Sequence, residues 1–290
     1  MQNNLTAYYK PYMLLAPALL VLVVFFLGGL AFALLQSFGY FPVIGLNKLS
    51  LEYYSKVLGQ REFYASLGFT FYISFVSTAL STIVAIYLAN YMVNLKRKNK
   101  FIDFLYKLPI AVPHIVAALM VVFLLSQGGF VARIFFKLGL LNETAQFPPL
   151  FYSRSAIGII LIYMWKEIPF ITLMVYTVMN NIHKRLGEAA STLKASPRDV
   201  FYQVTLPLSM PSIISASAIV FAFSFGAFEI PYLLGASYPK TLSVWAYFNY
   251  ISPDLLNRPV AMVISIVLTS FCVLLVGVYY VFMKNLRQWG

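Results

Sequence analysis

Long apolar runs separated by short polar gaps dominate this chain, and nowhere do apolar and polar residues alternate as in a strand that faces two environments. Six runs approach the roughly 20 apolar residues that a helix needs to cross a bilayer. They lie at about 12–37, 69–94, 107–127, 155–181, 210–234 and 259–283. Helices are the expected form, because inside lipid every backbone N–H and C=O must be satisfied within its own segment. A barrel would show alternating segments of about ten residues instead. Pro109, Pro113 and His114 interrupt the start of the third run. Lys10 precedes the first run, which at about 12–38 is too long for a signal-peptide core of about 7–15 residues. A retained first span is therefore expected, and the pattern predicts one all-α membrane domain over residues 1–290.

Composition supports this. Of 290 residues 61% are apolar and 10% charged, against about 45–50% and 25% in soluble domains. The excess has to face lipid. The formal net charge of +12 would suggest nucleic acid in a soluble protein. Here the cations sit in gaps between spans, so they report topology and no nucleic-acid partner is expected. One side receives Lys10, Lys96, Arg97, Lys98, Lys100, Lys107, Lys184, Arg185, Lys194, Arg198, Lys284 and Arg287, twelve in all. The other receives Lys48, Lys56, Arg61, Arg133, Lys137, Arg154, Lys240 and Arg258, eight in all. The positive-inside rule then places both termini in the cytoplasm, in agreement with an even span count. Cys272 is the only cysteine and the two histidines are far apart, so neither a disulfide framework nor a metal site is expected.

The cytoplasmic loop 182–209 is longer than a turn requires and helix-forming throughout. Glu188 to Lys194 reads as a short helix of good formers. Ser196 followed by Pro197 reads as an N-cap with proline at the first helical position, opening a second helix. Pro207 and Pro211 are expected to interrupt it before the fifth span. The loop resembles the signature of permease subunits of binding-protein-dependent ABC importers: Glu-Ala-Ala, three residues, Gly, nine residues, Ile, any residue, Leu-Pro. Glu188, Ala189, Ala190, Val204, Leu206 and Pro207 fall on it with the spacing kept. Lys194 stands where the family usually has Gly, which puts the tightness of the inter-helix turn in question, because Lys resists the positive φ that Gly allows. The resemblance implies the type I importer fold, a multi-pass protein of the bacterial cytoplasmic (inner) membrane, and a loop that couples to an ATPase. It also implies the partners: two ABC ATPase subunits, a second permease (the same chain or a different one) and an extracytoplasmic solute-binding protein, all in contact with or near lipid. No Gly-x-x-x-x-Gly-Lys-[Ser/Thr] occurs, so the phosphate cradle of a P-loop ATPase is missing. The chain is expected to bind no cofactor and to be no enzyme, with ATP and Mg held by the partner ATPase.

Three ionisable residues fall inside spans: Lys166 and Glu167 in the fourth, Glu229 in the fifth. Such groups usually face protein or water. With Trp165, Tyr163 and Phe228 as aromatic walls, they are candidates to line a translocation path. The other reading is a Lys166–glutamate pair that locks spans four and five. Their summed charge of −1 favours a cationic solute. The segments Trp165–Phe170 and Phe223–Gly235 resemble the spermidine/putrescine subgroup, which implies a polyamine. An ion-coupled secondary transporter or channel is the alternative, but no internal repeat is visible and it leaves loop 182–209 unexplained. No nucleophile–base set or metal cluster supports an intramembrane enzyme. In the outer loops, Arg133 and Lys137 lie four apart among apolar residues, which suits an interfacial or plain surface helix. Tyr238, Lys240 and Tyr247–Tyr250 offer contacts for a docking protein.

Overall fold

The computed structural model describes residues 3–95, 100–183, 186 and 196–287. The chain is almost entirely helical. Among the described residues the only β-type pairing is an isolated antiparallel bridge between Phe41 and Leu46. The first helix, α1 (Asn3–Leu22), passes through a π turn at Val23–Leu27 into α2 (Gly28–Ser37). Short α3 (Glu52–Leu58) leads to the long α4 (Arg61–Asn94). Then come α5 (Lys100–Ala111), α6 (His114–Leu125), α7 (Phe130–Lys137) and α8 (Ile157–Ile182). A continuous helical stretch begins with α9 (Pro197–Val200), widens into a π turn at Phe201–Thr205 and continues as α10 (Leu206–Gly226). Short α11 (Glu229–Leu234) and α12 (Leu242–Tyr250) precede α13 (Arg258–Arg287). Among the described residues six helical stretches are long and apolar enough to cross a membrane: Tyr9–Ser37, Arg61–Asn94, His114–Lys137, Ile157–Ile182, Pro197–Gly226 and Leu255–Tyr279.

Proline decides where these helices break. The run at about 107–127 is split: α5 stops at Ala111, and Pro113, with ψ 147°, is the N-cap of α6. A proline inside a helix has no N–H for the carbonyl four residues back and its ring collides with that carbonyl. The run at about 210–234 is also split, because α10 ends at Gly226 and α11 starts at Glu229. In an unbroken helix Pro231 would collide with the Ala227 carbonyl. After the break it falls in the first turn of α11, where the N–H would be unpaired anyway. Pro207 and Pro211 do not interrupt the helix before α10. Pro207 falls at the second position of α10 and Pro211 within it, and the helix runs on from the π turn at Phe201–Thr205 without a break. Pro169 likewise stays inside an unbroken α8.

The chain falls into two compact units, residues 1–63 with 245–267, and 64–244 with 268–290. In the first, Gly39 takes φ +79° at the end of α2, where the Tyr53 ring leaves no room for a Cβ. Ser37 Oγ lies 2.9 Å from Tyr54 OH, and Arg258 sits over the Tyr250 ring at 4.1 Å. α1 exposes apolar side chains along its described length.

Among the described residues of the second unit, buried side chains gather in clusters. Phe69, Ile73, Ala117, Ala118, Ile159, Ile162 and Tyr163 belong to one; Ala85, Ala89, Ile171, Val175, Ile213, Ala216 and Val220 to another. α4 contributes a narrow buried face of Ser66, Thr70, Ser74, Ser77, Ser81, Ala85 and Ala89. The spacing of three and four keeps these small residues on one side of the helix, and small side chains let helix backbones approach closely in a membrane protein. Gly158, near the start of α8, serves the same purpose: a Cβ there would meet Phe151 at 2.4 Å and the Leu150 carbonyl at 2.8 Å.

Candidate functional site

The chemistry of the second unit gathers around the middle of α8. Lys166 Nζ donates to Pro109 O at 2.7 Å and to Val112 O. These carbonyls belong to the α5–α6 break. Pro113 has no N–H to offer Pro109 O, and Val112 lies in the break itself, so the ammonium caps the broken end of α5. A cation is also favoured there because a helix C-terminus carries partial negative charge. An unpaired buried carbonyl costs about 1–3 kcal/mol, and a hydrogen bond to a charged group contributes about 1.5–3. That is of the same size as the roughly 2.5–3.5 kcal/mol charged against a lysine at mid-membrane.

Glu167 is 6% exposed and turns to other neighbours. Its carboxyl accepts from Ser81 Oγ at 2.9 Å, from Ser224 Oγ, and from Ser77 Oγ at a long 3.4 Å. Ser77 shares that hydroxyl with Ser74 O at 3.3 Å. Two helices, α4 and α10, thus meet on one carboxyl of α8. The Lys166–glutamate pair offered as the other reading is not what the structure builds: Lys166 is held by carbonyls and Glu167 by hydroxyls. Both charges are committed to protein groups and cancel, so the summed charge of −1 rests on Glu229 alone.

A cavity of about 240 Å³ opens beside this centre, lined by Ile110, His114, Lys166, Glu167, Phe170, Ile219, Val220 and Phe223. It has α5 and α6 on one side and α8 and α10 on the others. The His114 ring lies 5.3 Å from that of Phe223.

Of the candidates for a path, Lys166 and Glu167 share this cavity. Tyr163, 1% exposed, belongs to the first buried cluster, and its hydroxyl is buried without a hydrogen-bond partner. Trp165 is half-buried and packs against that cluster. Glu229 is exposed at the start of α11, and Phe228 stacks on Tyr232 at 5.0 Å. None of these four is among the described residues lining the cavity. His114, Phe170 and Phe223 are the contributors that the charge-centred reading passed over. The spacing of serines on α4 was the available signal for Ser77 and Ser81.

In loop 182–209, Glu188, Ala189, Ala190 and Lys194 lie outside the described residues. The second helix begins as its cap predicts. Ser196 has extended backbone, its Oγ accepts from Asp199 N at 3.2 Å, and Pro197 takes the first position. Val204 is half-buried within the π turn, Leu206 packs on the second cluster and Pro207 is exposed. Between segments 128–154 and 235–258, Arg154 lies over the Tyr238 ring at 6.0 Å. Arg133 and Lys137 are on α7, with Arg133 Nε donating to Gly128 O at 3.0 Å.

Comparison with known proteins gives a consistent answer. The putative ferric transport system permease protein FbpB 1 of Haemophilus influenzae is 27% identical over 207 residues, which are 71% of this chain and 32% of that protein. The spermidine/putrescine transport system permease protein PotB of H. influenzae is 34% identical over 135 residues, 46% of each chain. This chain thus spans less than half the length of either relative. A solved bacterial ABC transporter involved in the import of the acidic polysaccharide alginate contains a chain of the same fold. Its TM-score is 0.80 at 18% identity, with 98% of each chain covered. The family model described as binding-protein-dependent transport system inner membrane component matches residues 81–288, from Ser81 on α4 through the cavity helices to the end of α13. This multi-pass helical chain therefore belongs to the inner membrane components of binding-protein-dependent transport systems.

Proposed function

We propose that the chain is one of two permease subunits that together form the membrane path of an ATP-driven importer for a small polar solute. The other permease is a second copy or a different chain. Two ABC ATPases in the cytoplasm would bind ATP and Mg, and an extracytoplasmic binding protein would deliver the solute. The observation that carries this reading is the family match over 81–288, which includes both loop 182–209 and the helices around the cavity. In this reading both termini are cytoplasmic and Glu188, Ala189, Ala190, Lys194, Val204, Leu206 and Pro207 form the surface that meets an ATPase. A capped helix starting at Ser196–Pro197 and continuing into α10 supports it, because a push on the loop would reach the cavity wall along one helix.

Lys166 and Glu167, with His114, Phe170 and Phe223, would line part of the path; Glu229, Phe228, Trp165 and Tyr163 would lie along it or support it. A polyamine is the solute class that the spermidine/putrescine resemblance supports. Screening solute-loaded binding proteins for stimulation of ATP hydrolysis would identify it.

The test of coupling is Ala189→Arg. In the reconstituted complex it is expected to lower transport per ATP about tenfold, with the chain still present at its normal level. Normal transport by this variant would refute the assignment of the loop.

A further inference from the structure

We infer that Lys166 is a positioning residue for transport: its ammonium fastens the α5–α6 break to α8, so that both walls of the cavity move together. The inference rests on the importer reading above and adds a mechanical part to it. α8 runs unbroken through Pro169, whereas α5 and α6 are separate helices joined only by Val112 and Pro113. A two-residue joint at a proline is the natural place for that wall to drift. Lys166 spans it by holding Pro109 O and Val112 O at once.

The next residue, Glu167, binds Ser81 of α4 and Ser224 of α10. α10 is in turn the continuation of the helix capped at Ser196. A displacement entering at Ser196 therefore has a bonded route through α10, Ser224, Glu167 and Lys166 to the joint. Ile110 and His114, either side of that joint, face the cavity together with Ile219 and Phe223 of α10. Without the ammonium the α10 wall can move while the α5–α6 wall stays behind.

The experiment uses the complete complex in proteoliposomes, with Cys272→Ser to remove the native thiol and Phe223→Cys as a reporter in the cavity. The probe is a charged, membrane-impermeant methanethiosulfonate added outside, with and without ATP and vanadate. In the Lys166 parent, nucleotide is expected to change the labelling rate about tenfold. Lys166→Met, which leaves two carbonyls without a donor, is expected to reduce that change to less than about twofold while ATP hydrolysis continues. Lys166→Gln keeps two N–H donors and is expected to retain most of the response. A full response in Lys166→Met overturns the inference, and so does a Lys166→Gln variant that loses the response as Met does. Should Lys166→Met fail to accumulate, Lys166→Leu takes its place as the donor-free variant: a lost response beside a retained one in Lys166→Gln supports the role, and a full response in Lys166→Leu overturns it. A parent that hydrolyses ATP with no change in labelling would overturn the importer reading of this path. That result is distinct from a responsive parent with an equally responsive Lys166→Met, which overturns only the role of Lys166.

Discussion

Replacing Glu167 should separate what its hydrogen bonds contribute from what its bulk contributes. The carboxyl makes two good bonds, to Ser81 and Ser224, and one long one to Ser77. Interhelical bonds in membrane proteins average about 0.6 kcal/mol and reach about 1.7, and those to a charged or buried carboxyl belong at the upper end. Two such bonds give about 3 kcal/mol for Glu167→Ala. The three serines can turn back to carbonyls of their own helices, as Ser74 already does toward Thr70 O at 2.9 Å, which lowers this cost, while the void left by the side chain raises it again.

Glu167→Gln keeps one carbonyl oxygen as acceptor and presents an NH₂ in place of the other. A serine hydroxyl can rotate to accept from it, so the cost should be about 1 kcal/mol. At about 2–4 °C per kcal/mol for a chain of this size, the Ala variant should melt about 6–12 °C lower and the Gln variant about 2–4 °C lower. The assay is thermal unfolding of the detergent-solubilised complex, followed by loss of the monodisperse peak. Equal melting of the two variants, within about 2 °C, would show that the hydroxyls do not hold Glu167 in place and would refute the reasoning.

Two further substitutions probe how the helices around the site are built. Gly158→Ala puts a methyl group against the Phe151 ring and the Leu150 carbonyl, and overpacking of this kind should cost about 1–3 kcal/mol, measured as a lower melting temperature. Ser196→Ala removes the cap that accepts from Asp199 N and should cost about 1 kcal/mol. It should appear as faster hydrogen exchange in the first turn of α9, with α10 unaffected.

Much of this architecture was legible in the chain. The apolar runs predict helices because a bilayer leaves a backbone no other partner, and six long apolar helices are found among the described residues. The breaks were harder. Pro109 and Pro113 mark the first, but only the three-dimensional path shows that α5 and α6 are two helices. The break at Ala227–Phe228 hides inside an apolar run, where Pro231 gave the only sign. Pro207 and Pro211 mislead in the other direction, since both lie inside α10 without ending it. Lys166 and Glu167 stood out as charges in apolar surroundings, yet their partners did not. Backbone carbonyls carry no side-chain signature at all. The hydroxyls did carry one, because Ser66, Thr70, Ser74, Ser77 and Ser81 repeat at helical spacing along α4.

Why two adjacent opposite charges do not simply neutralise each other follows from the helix that carries them. Successive residues project about 100° apart around an α-helix, and neighbours in sequence do not face one another. Lys166 is thereby aimed at the α5–α6 break and Glu167 at α4 and α10, so each meets the group that needs it. Lys166 and Glu167 thus cancel within the protein, and the sum of −1 over the spans rests on Glu229, which is exposed at the start of α11. What remains toward the cavity is largely apolar and aromatic, with His114 beside Phe223. A wall of that kind offers a polar solute few strong holds, and passage requires binding weak enough for release. On the importer reading proposed above, discrimination between solutes is expected to rest with the binding protein that presents them, and the permease would contribute the moving walls.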